Sequence, residues 1–152
     1  MGARRMTLSE AALSQRHARV LLAEDDFEMR KLLSRVLTCA GFDLVEAASG
    51  DEALDRIADQ LLEKSERVFD LVIADIRMPG CTGLDLLACL RHFDWNTPVI
   101  LITAFGNAET HEQARRLGAF AVFDKPFDLD DLETAVLNAR PGADRLRRAS
   151  GE

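Results

Sequence analysis

A chain of 152 residues is one domain's worth, long enough to bury a real core and too short for two ordinary domains. Its 47% hydrophobic and 30% charged residues read as soluble and globular, and a formal net charge of -7 disfavours non-specific attraction to nucleic acid or to an anionic membrane. Cys39, Cys81 and Cys89 lack metal-ligand spacing, no signal-peptide pattern opens the chain, and the longest uncharged stretch, Trp95 to Ala108, is too short to span a bilayer; a reducing, cytoplasmic setting is expected.

Residues 1–18 form an extension outside any periodic pattern. The first apolar run, Val20 to Ala23, leads into Glu24-Asp25-Asp26. Asp26 is a candidate N-cap for a helix whose stripe is Met29, Leu32, Leu33, Val36, Leu37 and Ala40, and Gly41 stops it. A second run, Phe42 to Glu46, precedes Ser49, a cap with Glu52 three residues on, and a long helix burying Ala53, Leu54, Ile57, Ala58, Leu61 and Leu62.

The third run, Leu71 to Ala74, ends at Asp75 and the turn IRMPG; a helix starting near Gly83 follows and ends before Trp95-Asn96-Thr97-Pro98. Val99 to Ile102 then leads to Thr103, and the fourth helix, about Asn107 to Leu117, carries only the thin stripe Ala108, Ala114 and Leu117, so it is expected to be the least firmly held. Phe120 to Phe123 leads to Asp124-Lys125-Pro126, and the last helix packs Leu129, Leu132, Ala135, Val136 and Ala139. Residues 140–152 read as a basic tail or linker stub.

Five apolar runs alternating with helical patterns indicate an α/β fold with a parallel sheet. Runs one, three and four are nearly continuous in apolar residues, as in strands covered on both faces, while the second and fifth lie nearer the edges. In such a sheet, loops at the carboxyl ends of the strands share one crevice, which brings Glu24, Asp25, Asp75, Thr103 and Lys125 together.

Crowded acids need a compensating cation, and Mg²⁺ takes one or two carboxylates with waters and phosphate oxygens completing its shell. Glu24, Asp25 and Asp75 would supply the carboxylates, with Asp26 left out as a cap. An ionised aspartate can attack phosphorus, and the protein then has mainly to neutralise and position the phosphoryl group. Asp75 is the candidate nucleophile because it alone ends the central strand and is presented by a turn; Lys125 supplies charge and Thr103 a hydroxyl.

These motifs, LLAEDD, DLVIADIRMPGCTG, VILITA and FDKPF, resemble the receiver domain of two-component response regulators over roughly Arg19 to Ala139, and ITAFGN with LGAFAVFDKPFDLDDL is similar to nitrogen-regulator-type receivers. The resemblance implies a flavodoxin-like (βα)5 fold with strand order 2-1-3-4-5. It also implies that Asp75 accepts a phosphoryl group from a histidine kinase or histidine phosphotransfer protein. Asp25, Asp75 and the Arg77 carbonyl would hold Mg²⁺, with Glu24 acting through water, while Thr103 and Lys125 hold the phosphoryl oxygens. Lys125-Pro126 would be cis.

By the same resemblance the chain is a switch rather than an enzyme, catalysing at most its own phosphorylation and dephosphorylation. Its fourth and fifth helices would present a face for a partner, an output domain or a second copy, with no direct nucleic-acid contact and no membrane. The chain would be a stand-alone receiver or the front of a larger regulator. Two departures stand out. Val122 occupies the position of the family's aromatic switch residue, with Phe105, Phe120 and Phe123 as candidate substitutes, and the segment Leu61 to Arg67 is longer than usual.

Two other classes compete. A pseudo-receiver would bind a partner without phosphorylation, and an aspartyl phosphatase would use Asp75 with a second acid, but position 77 is arginine. A nucleotide or flavin role is disfavoured because no glycine-rich phosphate loop follows the first strand. His17, His92 and His111 are scattered and read as surface residues, Trp95 reads as helix-end packing, and a redox role for Cys81 would need a lowered pKa.

Overall fold

Alternating side chains on five short strands build the molecule's two apolar layers. The computed structural model describes residues 17–62, 69–93 and 95–139. The strands are β1 (Arg19–Ala23), β2 (Asp43–Ala47), β3 (Leu71–Asp75), β4 (Val99–Thr103) and β5 (Ala121–Asp124). The helices are α1 (Phe27–Cys39), α2 (Gly50–Leu62), α3 (Gly83–His92), α4 (Ala108–Arg116) and α5 (Leu129–Ala139). The sheet is parallel throughout, in the order β2-β1-β3-β4-β5.

Because successive strand residues face opposite sides, the two faces separate cleanly. Leu21, Ala23, Val72, Ala74, Val99 and Leu101 pack with Ile57 of α2, Leu86, Leu87 and Leu90 of α3 and Ala114 of α4. Val20, Leu22, Leu71, Ile73, Ile100 and Ile102 pack on the other side with Leu33 and Leu37 of α1 and Leu132 and Val136 of α5. Every residue of β3 and β4 is buried. Each such leucine or isoleucine contributes about 1.5–3 kcal/mol of transfer free energy.

Local signals set the helix ends. Asp26 accepts from the Met29 N–H at 2.9 Å and caps α1, which stops ahead of Gly41 at φ 96°. Ser49 Oγ accepts from Glu52 N–H at 3.1 Å at the start of α2. Thr82 and Asp85 form a reciprocal capping box on α3, and Asn107 caps α4 by accepting from Thr110 N–H at 2.8 Å.

The helix stripes are narrower than the periodicity implies. Leu32, Ala40, Ala58 and Ala108 are exposed, each standing at the edge of its stripe rather than over the sheet. The side chains of Leu61 and Leu62, residues 63–68 of the lengthened segment, and both termini (1–16 and 140–152) lie outside the described residues. Among the described residues no helix is long and apolar enough to cross a membrane.

Candidate phosphoryl and metal site

The central strand fixes the site. β1 and β3 are adjacent, with Ala23 opposite Ala74, so Glu24 and Asp75 leave the sheet side by side, and β4 delivers Thr103 from the next strand. Glu24, Asp75 and Thr103 are the buried polar residues of the described chain. Lys125, one residue past β5, donates from Nζ to Asp75 Oδ2 at 2.7 Å and to Glu24 Oε2 at 3.2 Å. The Lys125-Pro126 peptide is cis.

Backbone groups hold the carboxylates in place. Arg77 N–H donates to Asp75 Oδ1 at 2.9 Å, and Asp26 N–H donates to Glu24 Oε1 at 3.2 Å. Gly83 closes the loop after Asp75: its N–H donates to Ile76 O at 3.1 Å, and a Cβ there would stand 2.5 Å from the Asp75 carbonyl oxygen. Lys125 N–H donates to Thr103 O at 2.8 Å, and Thr103 Oγ1 accepts from Phe105 N–H at 3.2 Å, leaving the hydroxyl hydrogen free to donate elsewhere.

Burial is the main cause that pushes the Glu24 carboxyl up to about 7; the nearby Asp75 charge and hydrogen bond add to it, while Lys125 and the Asp26 N–H offset part of it. For Lys125, burial opposes the charged form, but hydrogen bonds and charges from Asp75 and Glu24 outweigh it and raise the ammonium above its ordinary value. One ammonium therefore serves two buried acids, with the exposed Asp25 beside them.

Glu24, Asp25 and Asp75 each offer a carboxylate oxygen, all within 4.8 Å of one another. Hard oxygen donors carrying more negative charge than one lysine balances fit Mg²⁺, with part of its shell left to water or phosphate. Glu24, Asp25, Asp75 and Lys125 thus come together, with Thr103 at the end of the neighbouring strand and the Arg77 N–H on Asp75. The Arg77 guanidinium lies over the Phe105 ring, 4.5 Å from the centroid, a pairing of two loops that no local pattern signals.

None of the three candidate aromatics lines the cavity that Val122 faces. Phe105 is 67% exposed and engages Arg77, Phe120 is exposed, and Phe123 points to the opposite face of the sheet, 5.8 Å from the Phe127 ring. His111, read as a surface residue, is part-exposed and lies 2.9 Å from Asp124 Oδ1. Burial, then Asp85 and Asp51, push the Cys81 thiol up to about 11, so it stays protonated at neutral pH and unreactive.

A family model, the response regulator receiver domain, matches residues 20–137. The chain is 34% identical over 123 residues to sporulation initiation phosphotransferase F of Bacillus subtilis, covering 81% of this chain and 94% of that protein. It is 36% identical over 115 residues to the DNA-binding transcriptional regulator NtrC of Klebsiella pneumoniae, covering 76% of this chain and 23% of the regulator. Among solved structures, the CheX-CheY-BeF3-Mg²⁺ complex from Borrelia burgdorferi is similar at 29% identity and a TM-score of 0.70, over 80% of this chain and 87% of that one. The chain spans about a quarter of the length of the transcriptional regulators it matches. With its five-stranded order and its strand-end acids, the chain belongs to the response regulator receiver family, and its relatives include the NtrC type.

Proposed function

We propose that residues 19–139 act as a phosphoryl-accepting switch of a two-component pathway, with Asp75 as acceptor. The observation that carries this reading is the buried Asp75 carboxylate, held by the Lys125 ammonium at 2.7 Å and the Arg77 N–H at 2.9 Å, with Thr103 ending the neighbouring strand. A carboxylate oxygen of Asp75 forms the new bond to phosphorus as the phosphorus–nitrogen bond of a phosphohistidine breaks, and the imidazole leaves with a proton. Donors are a histidine kinase or a histidine phosphotransfer protein.

Lys125 moves its ammonium hydrogens from Glu24 and Asp75 onto the incoming phosphoryl oxygens. Thr103 uses its free hydroxyl hydrogen on one of them. Asp25, Asp75 and the Arg77 carbonyl would hold Mg²⁺, with Glu24 acting through water, and the ion supplies charge neutralisation for the transferring phosphoryl group. Glu24 must release its proton for the site to carry that charge. The chain catalyses no turnover beyond forming and losing its own acyl phosphate.

The output runs through the α4 and α5 face to a partner, an output domain or a second copy, in the cytoplasm and without direct nucleic-acid or membrane contact by this domain. Incubation with a small phosphodonor and Mg²⁺ tests the reading by intact mass. A phosphoryl adduct that depends on Mg²⁺ and is lost in Asp75→Asn supports it. Partner binding that survives Asp75→Asn, with no adduct in the wild type, would instead mark a phosphorylation-independent interaction module.

A further inference from the structure

Helix α4 has little apolar hold on the sheet. Ala114 is its buried residue, Ala108 is exposed, and a cavity of about 490 Å³ lies against its inner side, lined by Ala108, His111, Glu112, Arg115, Ala121 and Val122 among others. Val122 is among its lining residues and brings no ring to it. Beside the packing of Ala114, a polar contact joins helix and strand: His111 Nε2, one turn into α4, lies 2.9 Å from Asp124 Oδ1 at the end of β5. An ionised carboxylate only accepts, so Nε2 carries the hydrogen.

This pair is joined to the phosphoryl site through one backbone position. A Cβ on Gly106 would overlap Asp124 Oδ1 and would stand 2.8 Å from Thr103 Cγ2 and 2.9 Å from His111 Nε2. The loop therefore fills the gap between Thr103 and the pair with bare backbone. Phe105 N–H, one residue earlier, donates to Thr103 Oγ1 at 3.2 Å, so a shift of that hydroxyl carries the loop with it. Asp124 is bonded in sequence to Lys125, the other residue that meets an arriving phosphoryl group. Both members of the pair are accessible, at 37% and 54% side-chain exposure, which keeps the link weak enough to be broken by a small displacement.

We infer that His111 and Asp124 form a latch that holds α4 against β5 while Asp75 is unmodified, and that movement of Thr103 and the 104–107 loop releases it. The release half rests on the proposed phosphoacceptor role of Asp75; the holding half does not. The latch assigns a mechanical role to a chain position where Val122 supplies no ring. It stabilises the resting arrangement, so by linkage its loss favours the modified one.

The test is amide hydrogen exchange on the full chain for wild type, His111→Ala, Asp124→Ala, the double variant and His111→Gln, each with and without beryllofluoride and Mg²⁺. In the free protein each alanine variant raises exchange in α4 about five-fold, the equivalent of one net hydrogen bond. The double variant exchanges no faster than either single one, and His111→Gln, which keeps a donor near the same point, stays close to wild type. Beryllofluoride raises α4 exchange in the wild type toward the variants' level, and the alanine variants take it up about five-fold more tightly. Unchanged α4 exchange in the free alanine variants, or additive effects in the double variant, overturns the latch. A wild type that takes up no beryllofluoride contradicts the phosphoacceptor reading instead, and the free-protein comparison still decides whether the pair holds the helix.

Discussion

Replacing Lys125 by methionine removes the cation that bridges two buried carboxylates, at 2.7 Å from Asp75 and 3.2 Å from Glu24. Both acids are nearly inaccessible, at 4% and 1% exposure, so water hydrates neither well once the lysine is gone. Breaking a buried pair from one side costs about 3–5 kcal/mol when the remaining charge cannot neutralise itself. Here it can, because the Glu24 carboxyl titrates at about 7 even with Lys125 present, and without the lysine it is pushed further up.

The sign follows. At pH 5 Glu24 is protonated with or without the lysine, so only the Asp75 contact is lost. Above pH 7 the wild type ionises Glu24 while the variant must keep it protonated, so the variant's deficit grows by about 1.4 kcal/mol per pH unit until its own Glu24 ionises. At pH 8 the Tm gap between variant and wild type is therefore wider than at pH 5 by roughly 3–6 °C, at about 2–4 °C per kcal/mol for a chain of this size. Millimolar Mg²⁺ narrows the pH 8 gap, since the divalent charge replaces the lost ammonium. Thermal melts of both proteins at the two pH values, with and without Mg²⁺, check this. A gap equal at both pH values, or wider at pH 5, refutes the reasoning that one lysine balances two coupled acids.

In the metal-free wild type, the raised Glu24 pKa means the folded state holds that proton more tightly than the unfolded chain; stability therefore falls as pH rises from the ordinary carboxyl value of 4.5 through about 7. Asp75→Asn removes the neighbouring charge and flattens that slope, as urea melts across the range will show. Mg²⁺ affinity, read by isothermal titration, rises as pH passes through 7, because binding displaces the Glu24 proton; a flat profile contradicts the assigned site. Gly83→Ala forces a Cβ to 2.5 Å from the Asp75 carbonyl oxygen and 3.0 Å from Ile76 Cα; it is expected to destabilise by about 1–3 kcal/mol in denaturant melts and to slow phosphoryl uptake. Thr82→Ala removes the capping box of α3 and costs about 1 kcal/mol with the adduct yield unchanged.

The strands and the main site were legible because each depends on local sequence. An unbroken apolar run such as LVIA marks a strand covered on both faces, and parallel topology then sends Glu24, Asp75 and Thr103 to the same edge whatever lies between them. Caps were readable for the same reason, Asp26 and Ser49 acting within one helical turn. Helix faces were readable only approximately. Periodicity places Leu32 and Ala58 in a stripe, but how far the stripe extends depends on where the sheet beneath it ends.

Contacts between loops left no pattern to read. His111 and Asp124 are thirteen residues apart on different elements, and only the bare backbone of Gly106 lets them meet. Arg91 is similar: its guanidinium donates to the carbonyls of Trp95, Thr97 and Gly118 and ties α3 to the turn before β5, with burial lowering its pKa. Of the phenylalanines near position 122, strand alternation removes one, Phe123, from the layer that Val122 faces.

In the proposed switch Asp75, and no other carboxylate of the crowded site, forms the acyl phosphate. Phosphorylated wild-type protein treated with borohydride, which reduces an acyl phosphate and converts aspartate to homoserine, followed by peptide mass spectrometry, reads the position directly. Homoserine is expected at position 75 alone, dependent on Mg²⁺ in the phosphorylation step. Homoserine at position 25 or 26 with position 75 unchanged, or no reduced residue in protein that carries the phosphoryl mass, would contradict it.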